Sequence, residues 1–264
     1  MGDFLHTFFD IHQILHVMPT LLSEGLRNTL IIASLSLILG LAFGLVLSIL
    51  LIASHWWVRA PARIYVDVFR GLPAIVTVSI IGIGLPSANV RPFGESPTGY
   101  AILAIGLINA AYIAEIFRSG IQSVPVGQTE AGRSLGMSHL TTLMLIVVPQ
   151  GIRNVLPALA NQFIVAVKES SLVYLLGLAV GERELYFIAQ QAQAVSYNSS
   201  SFIAAGLVYI AFTVPLTHLV NWFDRRMRDG RRPSAGKNPL DQGPKDPLGT
   251  EPLTPLGAGM EAGA

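Results

Sequence analysis

Glu130-Ala131-Gly132-Arg133-Ser134-Leu135-Gly136, followed ten residues later by Ile146-Val147-Val148-Pro149, decides how this chain is read. It is a run of small and mildly polar residues set between two long apolar segments. Pro125 ends the helix before it, because proline lacks an N–H and clashes with the preceding turn. A short helix is predicted from about Gln128 to Leu135, with Gly136 suited to the left-handed residue that closes a helix. Ser138 is placed to cap the next helix, which runs toward Val148. Such an insertion is costly inside a bilayer, and its natural use is docking. Ala131, Gly132 and Leu135 are expected on one face, the first two letting a partner approach the backbone. Glu130 and Arg133 supply directional charge.

The flanking segments explain why a bilayer is at issue. Of 264 residues, 52% are hydrophobic and only 12% charged, far more apolar than a soluble domain. Asn28 to Ser54, Gly71 to Val90, Ser96 to Ala114 and Leu185 to Phe223 carry no Asp, Glu, Lys or Arg. A hydrocarbon core takes about 20 apolar residues per helix, so these runs read as membrane spans. Cysteine is absent, which excludes a disulfide framework, a thiolate metal site and a cysteine nucleophile. The histidines lack ligand spacing, so no metal site is expected, and no catalytic group stands out.

The fold expected is all-α, an integral membrane protein with about five transmembrane helices. The spans are roughly Leu26 to Ile52, Ile64 to Leu85, Thr98 to Gln122, a fourth from after Pro149 to about Gly177, and Phe202 to Phe223. Pro73, Pro86, Pro157 and Pro215 kink spans or mark their ends. Residues 1–24 hold Phe4, Phe8, Phe9, Ile11, Ile14, Leu15 and Val17, too short a run to cross, and read as an extracytoplasmic amphipathic segment at the interface. Residues 25–228 form the membrane domain, with a cytoplasmic loop at about 123–150. Residues 229–264, rich in Pro, Gly and Ala, read as a disordered cytoplasmic tail. Arginines gather on alternate connections: Arg59, Arg63 and Arg70; then Arg118, Arg133 and Arg153; then Arg225 to Arg232. The opposite connections set Arg91 against Glu95, and Arg183 against Glu182 and Glu184. Cytoplasmic loops collect Lys and Arg, so the amino terminus is expected outside and the carboxyl terminus inside.

Ionisable groups within spans are expensive and face a cavity or a partner. Asn109, Tyr112 and Glu115 are three residues apart and share one face of the third span. Asn109 is expected near mid-membrane, and Glu115 two turns (roughly 9 Å) toward the cytoplasm. That face offers part of what a zwitterionic solute needs; the other reading pairs Glu115 locally with Arg118. Lys168 and Glu169 are adjacent, so each needs its own partner. Gly40 and Gly44 form a small-xxx-small pair that allows close helix approach, more plausibly inside the subunit than between subunits.

The opening stretch resembles the cytoplasmic E-A-A-x3-G-x9-I-x-L-P loop of ABC-importer permeases. Glu130, Ala131, Gly136, Ile146 and Pro149 match in register, while Gly132 replaces the second Ala and Val148 the Leu. Tyr65 to Pro73 resembles that family's Y-x-E-x-F-R-G-T-P, with Leu72 in place of Thr. Asn109 to Pro125 resembles its N-S-G-A-Y-x-A-E-x-F-R-G-x-I-x-S-V-P, with one residue fewer near the start. Asn161 to Leu172 is similar to N-Q-F-I…K-D-T-S-L, with Glu169 for Asp. Together these point to the polar-amino-acid branch of the type I importers. The resemblance implies alternating access, a coupling helix seated in a cytoplasmic ATPase dimer, an extracytoplasmic solute-binding protein, and a second permease subunit in the lipid bilayer of the plasma membrane. It implies no nucleic acid. The chain has no G-x4-G-K-[ST] sequence, so ATP and Mg belong to the partner ATPase and this subunit is not an enzyme. The alternative is an ion-coupled secondary transporter, with Glu115, Lys168 and Glu169 as coupling groups.

Overall fold

Inside a bilayer a single apolar segment satisfies its backbone N–H and C=O groups only as a helix. The computed structural model describes Phe4 and residues 7–229, and its helices follow one another as α1 (Ile11–Leu51), α2 (Trp56–Gly71), α3 (Ala74–Ser87), α4 (Pro97–Gln122), α5 (Val126–Ser134), α6 (His139–Leu176), α7 (Leu185–Ser196) and α8 (Ser200–Asp229). No strand occurs among the described residues. Four helices, α1, α4, α6 and α8, are long and apolar enough to cross a membrane; α2 and α3 make a fifth crossing only as a bent pair. The chain to Asp224 is one compact unit. The expected tail lies, but for its first residue, outside the described residues.

Two expectations change. The segment expected to rest apart at the outer interface instead runs straight into the first span. Asp10 accepts from the N–H groups of His12 and Gln13 to start the helix, and a single π turn over Leu21–Gly25 carries it on. At about 1.5 Å per residue, its 41 residues reach about 60 Å, roughly twice the hydrocarbon thickness. The second span is not one helix from Ile64 to Leu85. It breaks at Leu72-Pro73, and α2 and α3 meet at 105°. Leu72 is extended, at φ −78° and ψ 138°, because the ring of a following proline disfavours the helical region. The third and fifth spans overlap their expected ranges, while the fourth begins already at His139, ten residues before Pro149. The fourth ends in a tight 3₁₀ stretch, Ser170–Leu176, closed by Gly177 at φ +69°.

The core of the unit is the α1–α4 pair. A Cβ on Gly40 would lie 2.7 Å from the Cβ of Asn109, and one on Gly44 would lie 2.8 Å from the Cγ2 of Ile113. The small-xxx-small pair therefore packs inside the subunit. Helix α6 crosses α4 just before the loop, where Gly151 sits on the backbone of Gly120 and Ile121. Helix α2 packs Ala62 and Val66 against Leu51, Ala111 and Ala114. At the other end, Arg183 pairs with Glu24 rather than with its chain neighbours: Nη2 is 2.7 Å from Oε2 and Nε donates to Oε1 at 2.8 Å. Glu182 instead accepts from Thr98, and Glu184 is fully buried, accepting from the N–H groups of Tyr186 and Phe187 to start α7. Arg91 does pair with Glu95.

Candidate functional site

Helix α5 is the short helix expected between two spans. Pro125 precedes it in an extended conformation, and Gly136 closes it at φ +81°. The N–H of Gly136 donates to the carbonyl of Arg133 at 3.0 Å and that of Met137 to the carbonyl of Gly132 at 3.2 Å, which satisfies carbonyls the helix end would leave open. Ser138 accepts from the N–H of Thr141 at 3.1 Å and starts α6.

Gly132 does not share a face with Ala131 and Leu135. It is buried, with Thr142 and Ile146 of α6 beneath it, whereas Ala131 and Leu135 point outward, Leu135 with 82% of its surface exposed. The reason is helical geometry: residues 131 and 135 are four apart and aligned, and 132 is turned about 100° away. The small residue therefore lets α5 sit on α6 of the same chain. Glu130 and Arg133 are exposed beside Leu135, and Val126, Leu140, Met144 and Leu145 add exposed apolar surface around it.

The α4 polar residues separate into two environments. Asn109 is fully buried, and its Oδ1 accepts from Nε2 of Gln162 on α6 at 2.7 Å. Its Nδ2 makes no hydrogen bond among the described residues. Gln162 lies in the Asn161–Leu172 stretch, and only the crossing of α4 and α6 reveals it as the partner. Nearer the loop, Glu115 accepts from Arg118 at 2.6 Å and from Arg63 of α2 at 3.0 Å. The local pairing with Arg118 is thus present, and Arg63 extends it to a second helix. Arg70 lies 5.4 Å from the ring centre of Tyr112, a cation–π distance.

Lys168 is exposed on α6, with no ion pair among the described residues, and Glu169 turns inward. The buried Oε2 of Glu169 makes no hydrogen bond among them. Two grooves lie elsewhere: one of about 300 Å³ between α1 and α8 is almost wholly apolar, and one of about 350 Å³ between α1 and α7 includes His16, Arg183 and Gln191.

The family model described as "Binding-protein-dependent transport system inner membrane component" matches residues 21–229. The arginine transport system permease protein ArtQ of Bacillus subtilis (strain 168) is 35% identical over 206 residues, covering 78% of this chain and 91% of that protein. The glutamine transport system permease protein GlnP of Escherichia coli (strain K12) is 33% identical over 221 residues, covering 83% and 98%. Among solved structures, an amino acid ABC transporter crystallised with histidines superposes at a TM-score of 0.72, with 33% identity over 80% of this chain and 96% of that one. The inward-facing methionine transporter MetNI superposes at 0.66 with 19% identity, covering 79% and 97%, a likeness of fold.

Proposed function

The chain belongs to the binding-protein-dependent transport system inner membrane components, and we propose that it is the permease subunit of an ABC importer that carries a polar amino acid or a close analogue. The observation that carries this reading is α5: a short, polar, outward-facing helix held rigidly between two membrane spans, with an exposed leucine at its tip. Its use is to seat in a cytoplasmic ATPase dimer, which holds ATP and Mg and whose closure is transmitted through α4 and α6. The Gly120–Gly151 contact packs those two helices backbone to backbone at the base of the loop.

Five spans form half a pathway, so a second permease subunit, identical or homologous, completes it, and an extracytoplasmic solute-binding protein delivers the substrate. The amino terminus faces outward and the carboxyl terminus the cytoplasm, in keeping with the arginine-rich loops. Residues 25–228 make the transport domain in the plasma membrane. In the pathway, the inward carboxylate of Glu169 offers an acceptor to a substrate ammonium, and the exposed Lys168 a donor to a carboxylate. The unused Nδ2 of Asn109 is a further donor at mid-membrane. Tyr112 and Glu115, tied to arginines of α2, hold the inner end of the pathway in shape.

The test is uptake by proteoliposomes holding this chain with an amino-acid-type ATPase and its binding protein. Labelled arginine, glutamine, glutamate and histidine should be compared, and accumulation of at least one should require both ATP and the binding protein. Accumulation driven by a proton gradient without ATP would instead support the ion-coupled transporter.

A further inference from the structure

Helix α2 divides into three sectors. Ala62, Tyr65, Val66 and Phe69 pack on α1 and α4. Trp57, Ile64 and Val68 form a second, apolar stripe that stays largely exposed among the described residues; Ile64 keeps 64% of its surface exposed. Arg59, Arg63 and Arg70 form the third. At 3.6 residues per turn they lie within roughly 40° of one another, and roughly 135° from the apolar stripe. Because α2 meets α3 at 105°, the two cannot both run along the membrane normal, and the exposed stripe and arginine row of α2 suit it to the membrane plane. Its start is on the side of the α5 loop, since Ile52 packs with Ile121, Val124 and Val147 at the base of that loop.

We propose that α2 is an interfacial helix that inserts Trp57, Ile64 and Val68 among acyl chains and binds anionic phospholipid headgroups through its arginine row. The charges favour this occupant over another helix. Within this row Glu115 bonds directly only to Arg63, whose side chain is still 46% exposed. The guanidinium of Arg59 has no hydrogen bond or ion pair among the described residues, and that of Arg70 lies over the Tyr112 ring and within the field of Glu115. Asp67 is the one acidic residue of α2. A guanidinium presents a planar fork of donors that a phosphate accepts in pairs. The exposed Trp56 and Trp57 are residues that partition to the boundary between headgroups and chains. The acidic lipids of a cytoplasmic leaflet would therefore clamp α2, and through the Arg63–Glu115 pair they would hold the inner end of α4.

The experiment uses the full chain in phosphatidylcholine vesicles with Trp222→Phe, so that all indole fluorescence comes from Trp56 and Trp57. Brominated phosphatidylglycerol or brominated phosphatidylcholine is added at equal mole fraction. The proposal expects quenching by both, about threefold stronger for phosphatidylglycerol. Arg59→Gln with Arg70→Gln should abolish that preference while leaving the phosphatidylcholine quenching and the unfolding temperature unchanged. Equal quenching by both lipids in the parent protein would overturn the headgroup site. Absence of quenching by either would overturn the interfacial placement and give the stripe to a second copy of the chain. Neither readout involves transport or the orientation of the chain, so the result stands apart from the importer reading.

Discussion

A Cβ placed on Gly132 would stand 2.7 Å from the Cγ2 of Thr142, so α5 is seated on the first turn of α6 where only a glycine fits without a shift. The E-A-A loop pattern has alanine at this position. Restoring it here gains about 1 kcal/mol of helix propensity and loses about 1–3 kcal/mol to overpacking, a net loss of about 1 kcal/mol. Thr142→Ser removes the clashing methyl, so the double variant should recover most of the loss. Thermal unfolding of the four proteins in detergent checks the cycle, with a coupling above about 0.5 kcal/mol expected for groups in contact.

The α1–α4 seam should be far less forgiving. Gly40→Val puts branched carbons into the space of Asn109 and should cost about 3 kcal/mol or prevent assembly of the subunit. Gly206→Val on α8 meets nothing within 4 Å and serves as the matched control. Comparing monodisperse yield and unfolding temperature of the two variants decides whether the seam or valine itself is responsible.

Glu115 and Arg63 should differ in stability although they form one ion pair. Glu115 has a side chain 14% exposed, and its removal strands two guanidinium groups, for an expected loss of about 2 kcal/mol in Glu115→Gln. Arg63 is 46% exposed and its loss leaves Arg118 in place, so Arg63→Gln should cost about 0–1 kcal/mol. Urea unfolding in mixed micelles reads both.

Much of this arrangement was legible in the sequence, for reasons that can be named. Helix α5 was readable because Pro125, Gly136 and Ser138 each act locally, through ring sterics, φ and a side-chain cap. The spans were readable because long uncharged runs such as Asn28–Ser54 and Leu185–Phe223 mark most of them. The break at Leu72-Pro73 was hidden: hydropathy sums composition and carries no direction, and the apolar run continues across the bend. The inward turn of Gly132 was hidden because its neighbour, Thr142, comes from the next helix. Asn109 and Gln162 are 53 residues apart, and Arg183 and Glu24 are 159 apart, so nothing local marks either pair. Glu184 looked like a loop charge and proved to be a buried cap.

That buried cap should give the protein a pH signature. Burial pushes the Glu184 carboxyl up to about 8 from an ordinary 4.5, against the N–H groups of Tyr186 and Phe187 and the Tyr209 hydroxyl, which lower it. A carboxyl raised on folding binds its proton more tightly in the folded state, so its contribution to stability is greatest in acid. That contribution falls as pH rises from about 4.5 to about 8 and is flat above. Glu184→Gln should lack this component. The difference in unfolding temperature between variant and wild type, followed from about pH 5 to about pH 9, isolates it from other titrating groups.

The central claim is that α5 docks a cytoplasmic ATPase through its outward face, and Leu135→Glu tests it most directly. Leu135 is 82% exposed and belongs to no apolar cluster among the described residues, so the variant should fold and unfold as wild type does. Co-purified in mild detergent with an amino-acid-type ATPase, the wild-type chain should form a stoichiometric complex and Leu135→Glu should lose it at least tenfold. A variant that held the ATPase as tightly as wild type would contradict the account.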